Sequence, residues 1–237
     1  MTATTPQARQ LPWICRLRLA GLFVLGAATG GLVMAAEEPK FELIAQDGSY
    51  EIRRYAPVII AETLVSGDMD AASGKGFRLI ADYIFGNNSL AGKAADNASQ
   101  KIAMTVPVAM EPVAGPAKIA MTTPVTAEPL SSASSMSTAT EWRIHFVMPA
   151  AYTVPTLPRP NNAAVTLREL PARTVAVLTY SGLNTASRVQ EKTGELSAWM
   201  NARGMEPTGA PVLARYNPPW TLPMWRRNEI QVQVKTP

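Results

Sequence analysis

The chemistry open to this chain is bounded first by its scarce residue types. Among 237 residues there is one histidine, His145, and one cysteine, Cys15. No Ser-His-Asp arrangement suggests itself around the lone histidine, and no glycine-rich phosphate loop or metal-ligand cluster is visible. The carboxylates Glu51, Glu62, Glu141 and Glu169 show no spacing that singles out an acid–base pair. Catalysis is therefore not the expectation; binding is. The residues best suited to binding are apolar ones at helical spacing. Phe77, Ile80, Ala81, Ile84 and Phe85 recur at i, i+3, i+4, i+7 and i+8 and paint one face of a helix, with Lys75 and Arg78 in the same stretch. On periodicity alone such a face suits a protein core better than a ligand wall.

The elements that must position these residues begin after a distinct leader. Residues 1–36 carry Arg9, Arg16 and Arg18 and no acidic residue, then an uncharged apolar run from Leu19 to Ala36 that ends in small residues. This order predicts an export signal cleaved after Ala35 or Ala36, and hence a periplasmic or secreted domain over 37–237. An uncleaved leader anchoring the chain in the inner membrane is the alternative, since eighteen apolar residues just reach across a thin bilayer. Three of the four net positive charges lie in the leader, which leaves about +1 on the domain. No concentrated basic patch remains to engage nucleic acid. Cys15 also lies in the leader, so the domain has no disulfide, thiol nucleophile or thiolate metal site. Twenty prolines predict many short strands and structured turns.

Two segments align without gaps at an offset of 115: Tyr50–Gly67 (YEIRRYAPVIIAETLVSG) and Val165–Gly182 (VTLRELPARTVAVLTYSG). Arg53 falls on Arg168, Ala61 on Ala176, Ser66 on Ser181 and Gly67 on Gly182. Each reads as a strand, a short turn and a second strand. Each also runs on into a helical pattern, the second with a capping box at Ser187–Gln190 and Gly204 as its stop. Two such units imply an α+β domain with pseudo-twofold symmetry and one large curved antiparallel sheet or barrel. Further half-buried strands are predicted where Trp142, Ile144, Phe146 and Met148 alternate with Arg143, His145 and Val147, and where Ile230, Val232 and Val234 alternate with Glu229, Gln231 and Gln233. Residues 86–100 and 130–140 read as surface loops.

A local duplication gives the most specific signal. Lys101–Pro112 (KIAMTVPVAMEP) and Lys118–Pro129 (KIAMTTPVTAEP) agree at nine of twelve positions. Both read as extended segments interrupted by proline, placed at a sheet edge or bulge because proline cannot donate to a ladder. The K-I-x-M-T-x-P-V element resembles the signature of the SOUL heme-binding proteins. YEIRRY at 50–55, WRIHFVMP at 142–149 and RYNPPWTLPMWRRNEIQVQV at 215–234 resemble the family's other motifs, in the family order and covering about residues 40–235.

This resemblance implies a distorted antiparallel barrel with two helices, built from two β-α-β-β halves, an architecture similar to that of bacterial effector-binding domains. It also implies that heme or a related tetrapyrrole is held in a shallow apolar cleft beside the first helix, here about 72–85. Carried over residue by residue, Phe77, Ile80, Ala81 and Ile84 would face the cleft and Lys75 and Arg78 would meet the propionates. Trp220, Leu222, Met224 and Arg226 would border it from the loop after Y-x-P-P. No axial ligand can be assigned, because His145 lies on the opposite strand face from Ile144 and Phe146. Other hydrophobic small molecules, or an envelope protein partner with a vestigial cleft, are the competing expectations.

Overall fold

Residues 36–90, 99–113, 136 and 138–235 are described by the computed structural model. The leader as far as residue 35 and the second proline segment, Lys118–Pro129, lie outside the described residues. In chain order the elements are β1 (Phe41–Asp47), β2 (Tyr50–Tyr55), β3 (Val58–Ser66), α1 (Met69–Ile84), β4 (Asn88–Ser89), β5 (Val108–Pro112), β6 (Glu141–Val147), β7 (Arg159–Pro160), β8 (Thr166–Leu170), β9 (Arg173–Tyr180), α2 (Ala186–Asn201), β10 (Val212–Arg215) and β11 (Asn228–Val234). Nine strands form one antiparallel sheet in the order β1-β2-β9-β11-β10-β5-β6-β3-β8, curled into a half-barrel, and β4 pairs with β7.

The two aligned segments become β2–β3 and β8–β9, each followed by a helix. The strands within a segment do not pair with each other. β2 pairs with β9, starting at Tyr50 opposite Leu178, and β3 pairs with β8, starting at Val58 opposite Leu170. Gly67 and Gly182 end the second strand of each segment at φ of 133° and 113°, a region that disfavours any side chain.

Helix α1 starts earlier than its apolar periodicity indicates. The Asp68 carboxylate accepts from the N–H groups of Asp70 and Ala71 at 3.0 and 2.9 Å and caps the helix before the apolar face begins. In α2 the cap is Thr185, whose hydroxyl accepts from the Arg188 N–H, rather than Ser187. Gly204 follows the helix at φ 66°, in the reversal the sequence places there. The proline segment also sits differently from the edge position expected. β5 lies inside the sheet between β10 and β6, because Pro107 precedes the strand and Pro112 is its last residue, so neither interrupts the ladder. The surface loop expected from residue 86 is anchored at its start: buried Asn88 donates to the carbonyls of Tyr83 and Gln100, both at 2.8 Å.

Side-chain alternation gives the sheet two unlike faces. One bears Ala61, Ile144, Phe146, Ala176, Leu178 and Ile230 and receives α1 over β3 and β6 and α2 over β9 and β11. The other, inside the curl, bears Arg53, Glu62, Glu111, Arg143, His145, Arg173 and Glu229. Close approach of α1 to β6 depends on Gly76, where a Cβ would stand 2.4 Å from Ile144 Cγ1 and 2.7 Å from its Cβ. We expect Gly76→Ala to destabilise the domain by about 1–3 kcal/mol through overpacking, with part of the loss recovered in Gly76→Ala/Ile144→Ala; urea denaturation of the four-member cycle measures both.

Candidate ligand-binding site

The face of α1 divides along its length. Ile80, Ala81 and Ile84 are buried, Ile80 and Ile84 in the main core beside Tyr83 and Phe146. They fill the core instead of lining an accessible wall, as expected when a 3.6-residue period meets an apolar sheet. Phe77 is the one of the four predicted apolar residues that reaches the surface, its ring tilted against Phe146 with centroids 5.7 Å apart. Lys75 and Arg78 are exposed on the solvent side of the helix.

Ser73, one turn before Phe77, connects this flank to the end of β10. Arg215 Nη1 donates to Ser73 Oγ at 3.0 Å, and Nη2 lies 3.8 Å from Asp70 Oδ1. Nε and Nη2 of Arg215 are buried without a hydrogen-bond acceptor among the described residues. Burial pulls this guanidinium below its ordinary pKa, and the nearby Arg226 charge adds to that, against the opposing influence of Asp70 and Tyr180.

Beyond Arg215 the chain enters the loop 217–226, which presents an apolar surface. Trp220 is 82% exposed, Met224 65% and Trp225 70%, and Leu222 is half exposed. Single exposed apolar residues are ordinary, but four within six consecutive residues are a patch that marks a contact surface. Residues Pro223–Trp225 form one 3₁₀ turn, opened by proline. Arg226 does not point its fork outward. Its Nε donates to the Thr221 carbonyl at 2.7 Å and its Nη2 to that of Pro219 at 2.5 Å, so it braces the loop from within. The Gly182 N–H donates to the Pro223 carbonyl at 2.9 Å and ties the loop to the end of β9.

The base of the loop is fixed by a buried ion cluster. Glu229 is fully buried and accepts from Arg53 Nη1 and Nη2 at 3.0 and 3.2 Å, from Tyr216 Oη at 2.8 Å, from Arg227 Nε and Nη2 at 3.1 and 2.9 Å, and from Gln231 Nε2 at 2.8 Å. Burial pushes its carboxyl up, but Arg53, these hydrogen bonds and Arg227 together hold it below the usual carboxylate range. Arg227 also stacks on the Tyr216 ring at 3.8 Å.

His145 is buried, not surface-exposed. It lies on the inner face, on the far side of β6 from α1, and burial together with Arg173 pushes its pKa down to about 3. It cannot reach a ligand held against the helix side. Two cavities are described, and none of the ten predicted residues lines either. One is a groove of about 410 Å³ with Pro57, Ile59, Met148, Tyr152 and Val154 in its wall and Glu37, Glu38 and Glu169 at its rim. The other, about 110 Å³, lies inside the curl of the sheet. Arg215 escaped the sequence reading because nothing local distinguishes it from any other strand-end arginine.

A domain with this half-barrel sheet and two helices belongs to a recurrent α+β class. The C-terminal domain of EcmrR superposes with a TM-score of 0.52 at 12% identity, covering 79% of this chain and 98% of that one. A structure from Listeria innocua described as a hydrolase gives a TM-score of 0.50 at 14% identity, covering 81% and 94%. At these identities the likeness is one of fold. The SOUL heme-binding protein family model matches residues 36–233, and the chain belongs to that family. Its relatives include Heme-binding protein 2 of Mus musculus, 30% identical over 187 residues (76% of this chain, 77% of the relative), and Heme-binding protein 2 of Homo sapiens, 30% identical over 186 residues with the same coverage.

The Glu229 cluster yields a pH-dependent stability. Its lowered pKa contributes stability that is present above the unfolded value and is lost as pH falls through the folded one. We expect Glu229→Gln to cost about 3–5 kcal/mol at neutral pH by leaving Arg53 and Arg227 without their buried counter-charge. The gap to wild type should close as the pH falls below about 4.5, the ordinary value for this carboxyl; urea midpoints measured from pH 7 to 3 check both parts.

Proposed function

We propose that this protein holds heme or a related tetrapyrrole without catalysing its conversion, as a carrier or buffer, and that the ligand rests between the exposed flank of α1 and the 217–226 loop. Family membership and relatives named for heme binding support the ligand class. The observation that carries the location is Arg215, a part-buried guanidinium bonded to Ser73 of α1 at the strand end that leads into the exposed apolar loop, with two buried donor atoms that have no acceptor among the described residues. A flat apolar macrocycle favours Phe77, Trp220, Leu222 and Met224 as walls, and its carboxylates favour a guanidinium at the rim. Lys75 and Arg78 extend the positive side toward solvent. The patch includes Met224, a thioether able to ligate iron, while the lone histidine is on the other side of the sheet.

Charge separates this location from the larger groove. Among the described residues its lining has three glutamates and no lysine or arginine; Glu38 is paired with Arg227 at 3.0 Å, which leaves Glu37 and Glu169 to disfavour two propionates. It suits a cationic apolar compound instead, and that is the second reading of the binding role. We also propose that residues 1–36 direct export and are removed, with the domain working in the periplasm or outside the cell.

Titration with hemin should give a saturable Soret shift at low micromolar protein. Arg215→Glu should weaken binding at least tenfold, the equivalent of about 1.4 kcal/mol. Trp220→Ala and Met224→Ala should weaken it by smaller factors, and His145→Ala should leave it unchanged. Absence of saturable binding by both hemin and protoporphyrin would overturn this reading. Saturable binding of a hydrophobic cation, lost in Glu169→Lys, would establish the second.

A further inference from the structure

The pocket of about 110 Å³ inside the curl is walled by β5, β6, β8, β9, β10 and β11, and its lining combines Arg173, His145, Arg168 and Glu111 with the apolar Val175 and Val212. Most of the charges around it are already matched. Glu62 accepts from Arg168 Nε at 3.1 Å and Nη2 at 2.8 Å and lies 3.4 Å from Arg143 Nε. Glu111 accepts from Arg143 Nη1 at 2.7 Å. Among the described residues three guanidinium groups therefore face two carboxylates, which leaves one positive charge in excess.

That excess falls on Arg173. Its Nη1 is buried with no acceptor among the described residues, and Nδ1 of His145, in the same lining, is buried with no partner. Arg173 also lies 5.4 Å from the Tyr55 ring centroid, a contact with an aromatic face that supplies no acceptor atom. A desolvated guanidinium without an acceptor is costly, and an anion received in its fork relieves that cost. Burial lowers the pKa of Arg173 and neighbouring Arg168 lowers it further, while Tyr55 and Glu111 oppose this, the sign expected of a cation short of counter-charge. The imidazole of His145 can supply one further N–H. Val175, Val212 and Leu170 offer room only for a short apolar tail.

We propose that this interior pocket is a binding site for a small carboxylate, of acetate size, held by the Arg173 fork and His145 and separated by the sheet from the tetrapyrrole site. A cavity of this size admits several water-sized groups but not a macrocycle.

The histidine count makes the test direct. His145 is the sole histidine, so in the full-length protein without a histidine tag its ring resonances identify themselves by NMR. Sodium acetate, titrated against sodium gluconate at constant ionic strength, should shift these resonances saturably and raise Tm. Formate should act similarly, and benzoate, too large for the pocket, should not. Arg173→Met should abolish both responses while holding or raising Tm in gluconate, because it removes an unpaired buried cation. Arg173→Lys, which retains the charge without the fork, should weaken acetate severalfold, and the surface variant Arg54→Met should respond like wild type. No saturable response in wild type, an equal response in Arg173→Met, or benzoate binding as tightly as acetate would overturn the proposal. None of these outcomes bears on hemin binding, which is read from the Soret band and concerns the other face of the sheet.

Discussion

The rest of the structure is arranged around the buried pair of Arg53 on β2 and Glu229 on β11. These strands flank β9, so the pair reaches across it beside the small apolar cluster of Tyr55, Val175 and Val177 on the inner face. A buried carboxylate is tolerable only when its lone pairs are filled, and here four residues donate to it. Each donor is thereby placed. Tyr216 fixes the exit from β10 and Arg227 the entry to β11, so the intervening loop can change direction only between these posts. The exposed Trp220–Trp225 surface is thus presented from a rigid base, although the residues that form it pack against little themselves.

The pair also accounts for the unequal faces of the sheet. Both helices claim one face, and the curl encloses the other before enough apolar side chains are available to fill it. Ion pairs and hydrogen bonds fill it instead: Arg53 with Glu51 and Glu229, Arg143 with Glu111, Arg168 with Glu62. Enclosure is also what makes His145 neutral. Its burial and the surrounding guanidinium groups disfavour the imidazolium far more than Glu62 favours it.

The legible parts of this fold were those written in local spacing. Alternation at 142–148 and 228–234 located β6 and β11, and the 3.6-residue period located α1. Burial on the second face was not legible, because a strand reading Ile-Gln-Val-Gln after a glutamate looks identical whether its polar side meets water or a curled neighbour. By its alternation Glu229 belongs to the wet side of a half-buried strand, yet its partner Arg53 is 176 residues away and no window of sequence contains both. For the same reason the first helix was expected to offer Ile80, Ala81 and Ile84 to a ligand, when the sheet beneath takes them. The 217–226 loop was legible from its motif, but the inward use of Arg226 and the outward potential of Arg215 follow from hydrogen bonds that only the folded chain makes.

The charge distribution bears on how a dianionic ligand would be oriented. The groove beside Pro57 has acidic groups at its rim, whereas the α1 flank and the 217–226 loop carry Lys75, Arg78, Arg215 and Arg226. On the proposed function, an amphipathic macrocycle approaching this surface would be sorted by its carboxylates rather than by its apolar ring, since apolar walls exist at both places. Electrostatic sorting of this kind acts on orientation and encounter more than on final affinity. The affinity for such a ligand would then come from the area of Trp220, Leu222, Met224 and Phe77 that a flat ring can cover. An open apolar loop held by a rigid ionic base would suit a ligand that has to be released again, as the proposed carrier or buffer role requires.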